Sequence, residues 1–63
     1  MRQIALTHVL DGAENSNAAA ETELWNRFKA VRPLDALMLT DHHQQNRAAI
    51  EWARAQITKE EAA

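Results

Sequence analysis

Ala18-Ala-Ala-Glu-Thr-Glu-Leu-Trp-Asn-Arg-Phe-Lys-Ala-Val31 decides how this chain folds. Ala20, Leu24, Phe28 and Val31 stand at i, i+4, i+8 and i+11, and Trp25 widens the stripe they make. That period is the signature of a helix with one buried face. Glu21 and Glu23 lie near its start, Lys29 and Arg32 near its end, the order that a helix dipole favours. The polar break Glu14-Asn15-Ser16-Asn17 precedes it, with short side chains suited to N-capping. Pro33 disfavours helical geometry at Arg32. The spacing predicts a helix over residues 18–31.

Working outward, Pro33 is well placed to open a new helical turn. Leu34, Leu37 and Met38 give that turn an apolar face with Leu39 beside it, so a short helix is expected over 33–39. Thr40 and Asp41 punctuate the chain again, and Asp41 with Gln44 has capping-box spacing. A second long helix is expected over 41–58. Ala49, Ile50, Ala53 and Ile57 share one face, and Trp52 stands beside them with Ala48 and Ala55. Residues 59–63 are expected to fray. Toward the N-terminus, Ile4, Leu6, His8 and Leu10 alternate with Gln3, Ala5, Thr7 and Val9. That alternation admits a strand, with a flexible arm or short helix as the other readings over 1–12. Asp11-Gly12, with the only glycine, reads as a turn. The expected fold is mainly α, with two main helices, a short connecting helix and an N-terminal segment that a strand would fit.

Two apolar stripes in 63 residues are hard to bury against each other. Chains shorter than ~70 residues usually add disulfides, a metal or oligomerisation. There is no cysteine, which leaves oligomerisation as the leading remedy. An obligate homodimer is expected, with Leu24, Trp25, Phe28, Val31, Leu37, Ile50, Trp52 and Ile57 as its core or interface.

The net charge of −2 lacks the basic excess of a nucleic-acid-binding domain. Arg27, Lys29, Arg32 and Arg47 gather centrally and read as a solvated face. No run of ~18 apolar residues suggests a transmembrane span, and residues 1–10 carry no clear signal-peptide pattern. Absence of cysteine fits a cytoplasmic location. Catalysis is not expected, and no cofactor is. Cysteine and tyrosine are absent, the single serine is Ser16, and Gly12 stands alone rather than in a phosphate-binding loop.

Ala36-Leu-Met-Leu-Thr-Asp-His-His43 resembles the strand-end motif of the DHH phosphoesterases. That resemblance implies a metal centre at Asp41, His42 and His43. It covers eight residues, and the family's further aspartates and histidines on neighbouring strands have no counterpart here. A metal site of another kind would use His8 with Asp41, His42 and His43. Adjacent histidines on a helix point about 100° apart and do not readily share one ion, so exposed histidines at a helix start are the expectation.

The order strand, helix, helix resembles the ribbon-helix-helix repressors and antitoxins. The resemblance implies paired N-terminal strands that present Gln3, Ala5 and Thr7 to DNA. Asp11–Asn17 is a longer linker than that family's, and no basic residue stands among the three outward positions. The residues taken together lead to a small non-catalytic regulator, adaptor or inhibitor that binds protein, first a second copy of itself. Its size matches the accessory proteins of phages and plasmids.

Overall fold

The computed structural model describes residues 5–62, with side chains to residue 60, and over these the chain is mainly helical. Four helices follow in order: α1 Leu6–Glu14, α2 Ala18–Val31, α3 Pro33–Leu37 and α4 His42–Ala62. α1 packs against α2 and α4, α2 packs against α4, and α3 lies on α2.

Of the readings for this region, the short helix is the one the described residues take, as α1. Residues 1–4 lie outside the described residues, and from Leu6 onward the chain is helical. Leu6, Val9, Leu10 and Ala13 stand at i, i+3, i+4 and i+7, and Val9, Leu10 and Ala13 are buried. A helical stripe and an alternating strand share Leu6 and Leu10. Burial of Val9 and Ala13 selects the helix, because a strand with Leu10 inward would turn Val9 outward.

Gly12 is not a turn residue. It lies within α1, where a β-carbon would come within 2.8 Å of the Ala20 Cβ on α2. The turn comes after it, at Asn15 and Ser16. Asn17 N–H donates to Gly12 O at 3.0 Å and Ser16 N–H to Ala13 O at 3.2 Å. Ser16 has φ 62°, so this is a Schellman ending with serine in the left-handed position that usually holds glycine. Asn17 then opens α2 at once. Its Oδ1 accepts from the amides of Ala19 at 3.0 Å and Ala20 at 3.4 Å, satisfying two of the orphan donors of a helix start.

α2 stops at Arg32, whose N–H still reaches Phe28 O at 2.8 Å and whose own carbonyl accepts from Ala36 N–H at 3.0 Å. α3 is shorter than expected. It ends at Leu37, and Met38 and Leu39 taper off through i→i−3 bonds to Asp35 and Ala36. α4 is longer than expected: the tail from Lys59 continues the helix to Ala62 instead of fraying, since Lys, Glu and Ala all favour helix and no breaker intervenes. Asp41 sits before α4, its Oδ1 accepting from His43 N–H at 2.8 Å and Gln44 N–H at 3.2 Å.

The core is Val9, Leu10, Ala13, Leu24, Phe28, Ala36, Ala49 and Ala53. Half of these are alanines. Ala49 and Ala53, one turn apart on α4, let the backbones approach closely but contribute little apolar area each. Leu24, at 0% exposure, is the largest fully buried side chain. Glu14 of α1 pairs with Arg54 of α4 across the surface.

Candidate interaction surface and polar cleft

The eight residues singled out from the stripes divide between inside and outside. Leu24 and Phe28 are in the core, and Trp25, Ile50, Trp52 and Ile57 are half-buried around it. The rings form one row: Trp25 stacks on Phe28 at 5.4 Å with 22° between planes, and Phe28 meets Trp52 edge-on at 6.2 Å. Both are favourable aromatic arrangements. Val31 and Leu37 are not in the core at all.

Those two belong to a patch that the fold turns outward. Val31 is 61% exposed, Leu34 and Leu37 76% each and Met38 80%. The cause is the shortness of α3. One turn of helix has room to bury one side, and Ala36 occupies it, leaving Leu34, Leu37 and Met38 on the others. Shallow grooves flank the patch. One is lined by Lys29, Pro33, Ala36 and Leu37, another by Val31, Pro33, Leu34, Trp52 and Gln56. Arg32 Nε donates to Asp35 Oδ2 at 2.6 Å at the rim. Of the four patch residues, Leu34 and Met38 were recognisable only as members of an apolar turn. Nothing in their spacing sets them apart from core residues.

At the other end of α2, a cleft of about 130 Å³ opens between the first turns of α2 and α4. Glu21, Thr22, Trp25, His42, Gln45 and Asn46 line it. The Glu21 side chain is only 17% exposed, and His42 Nε2 stands 3.6 Å from its Oε1 while itself 84% exposed. Gln45 Nε2 donates to Leu39 O at 2.8 Å, which fixes its amide.

The strand-end resemblance does not carry over to the structure. Ala36 and Leu37 end a helix, and Asp41 is a helix cap rather than a strand-borne ligand. Asp41, His42 and His43 are exposed. Among the described residues no three His, Asp or Glu side chains converge as a metal site would require. Thr7, one of the outward positions in the ribbon-helix-helix comparison, lies on α1, and Gln3 is outside the described residues. No described helix is long and apolar enough to cross a membrane. Comparison with known families, characterised proteins and solved structures returned no match to this chain.

Proposed function

We propose that this chain is a non-catalytic protein-binding regulator, adaptor or inhibitor that works as a homodimer joined through α3. The carrying observation is the exposure of four large apolar side chains within eight residues, Val31, Leu34, Leu37 and Met38, each more than 60% exposed. Monomers rarely expose a contiguous apolar patch larger than a few hundred Å², and this apolar turn stands on a chain whose whole surface is 4845 Å². A standard interface takes ~800 Å² from each partner, so Lys29, Pro33 and the Trp52 and Gln56 edge would form its rim. A second copy fits this rim because it carries both signs of charge. In a twofold contact each residue meets its counterpart's neighbours, so Lys29 of one copy can lie beside Asp35 of the other.

The non-catalytic part of this reading draws on how the candidate groups are used. Ser16 turns the corner between α1 and α2, and Asp41 caps α4. Cysteine and tyrosine are absent besides, so the sequence suggests no paired nucleophile and base.

Sedimentation equilibrium at micromolar concentration tests the assembly. The expected mass is about twice the 7.1 kDa chain. Leu34→Glu combined with Leu37→Glu should return the single-chain mass with unchanged helicity, since both side chains lie on the surface. A wild-type chain that is monomeric and fully folded under these conditions overturns the homodimer.

A further inference from the structure

We infer that the cleft between the first turns of α2 and α4 is a guanidinium site, built to receive an arginine side chain of a bound protein. Among the groups in its walls, the Glu21 carboxylate and the Gln45 amide oxygen are acceptors with no hydrogen bond from a described side chain. A 3.6 Å separation from His42 Nε2 is too long for a hydrogen bond, so the largely buried Glu21 carboxylate takes none from the described side chains. Gln45 gives its Nε2 to Leu39 O, leaving Oε1 as the free end of a fixed amide. In the wall, Asn46 Oδ1 is buried with no partner. Beside these acceptors lies the indole of Trp25, held in place by its stack on Phe28.

A guanidinium answers the Glu21 carboxylate, the Gln45 oxygen and the indole face, while the sealed Asn46 Oδ1 would need a side-chain shift to join them. It carries five N–H donors in a planar fork and no acceptor. It pairs with a carboxylate through two parallel bonds and stacks on tryptophan. The local charge also favours a cation. Two helix starts meet here, each worth about half a positive charge, but both are capped, by Asn17 and by the Asp41 carboxylate. Glu21 and Asp41 together outweigh them. At about 130 Å³ the cleft is well below the ~300 Å³ at which small-molecule pockets begin, so it admits a side-chain head rather than a whole ligand. That the arginine comes from a protein rests on the protein-binding function proposed above. The guanidinium chemistry does not.

The test is a titration of the full ¹⁵N-labelled chain, read by NMR, with four probes: a blocked Gly-Arg-Gly tripeptide, its citrulline and lysine counterparts, and methylguanidinium. The arginine peptide should give saturable shifts at the Trp25 indole N–H and the Gln45 and Asn46 amides, with the Trp52 indole unmoved. Citrulline, which keeps the shape and loses the charge, should bind about tenfold more weakly or worse, and lysine should also be weaker. Glu21→Gln should cause a similar loss, with helicity checked by circular dichroism. Should that variant misfold, the citrulline comparison on the wild-type chain decides. Absence of saturable shifts, equal binding of citrulline or lysine, or binding that survives Glu21→Gln overturns the site. Binding of methylguanidinium with exclusion of the peptide overturns the protein source alone. The Leu34→Glu, Leu37→Glu chain should bind arginine as the wild type does, which separates this result from the fate of the dimer.

Discussion

Ser16 and Gly12 sit in each other's expected places. The serine holds φ 62°, a conformation that costs a non-glycine residue roughly 1–2 kcal/mol, while the glycine lies in an ordinary helix. Ser16→Gly should therefore stabilise the fold by about 1 kcal/mol, seen as a raised urea midpoint. Gly12→Ala should act the other way. Alanine gains about 1 kcal/mol in helix propensity, but its β-carbon would stand 2.8 Å from that of Ala20, on a backbone with little room to move. Overpacking of this kind costs about 1–3 kcal/mol, and a lowered midpoint is expected. Phe28 is the other residue on which much depends, since its ring meets both tryptophans. Phe28→Ala should cost about 3–5 kcal/mol, enough to unfold so small a chain, and circular dichroism would show lost helicity.

Among the elements, α2 was the most legible, because its stripe is long, its cap residue short and polar, and Pro33 marks its end. α4 was legible on its buried face and misjudged at its tail, where only a breaker would have stopped the helix. α1 was obscured because apolar groups at positions 6 and 10 satisfy two periods at once, and the burial of Val9 and Ala13 that chooses between them appears only in three dimensions. α3 was recognisable as an apolar turn, but not as an outward one. Whether a Leu points in or out depends on how many faces of a single turn have neighbours, which no local pattern records. The polar cleft was less legible still, since Glu21 and Gln45 are 24 positions apart and each is unremarkable in its own segment. The Arg32–Asp35 pair on α3 is about half exposed on both sides. Such pairs are worth ~0–1 kcal/mol, so Asp35→Ala should leave the monomer's melting almost unchanged. Any larger effect of that substitution should be on self-association, visible as a raised dimer dissociation constant.

For the molecule as a whole, a radius of gyration of 11.4 Å compares with about 10.6 Å for a compact chain of this length. The helices thus close on one another within a single copy, and among the described residues the large exposed apolar side chains gather around α3. The dimer proposed here adds to an existing core rather than creating it. With a net charge of −2, the chain should retain no mixed duplex DNA at ~150 mM salt, where affinity through phosphate contacts has fallen steeply. A gel shift with genomic fragments would show it, and a stable, sequence-selective complex would favour the ribbon-helix-helix comparison instead. Asn17 bears on how two copies can meet. Its backbone N–H donates to Gly12 O at the close of α1 and its side-chain Oδ1 accepts from Ala19 N–H at the start of α2, so no slack residue separates the two helices. Oligomers that form by trading a segment between copies need a hinge that can straighten, and straightening this corner would uncap both helices. Association should therefore proceed by face-to-face contact alone, reversing promptly on dilution and leaving no slowly separating, intertwined species behind.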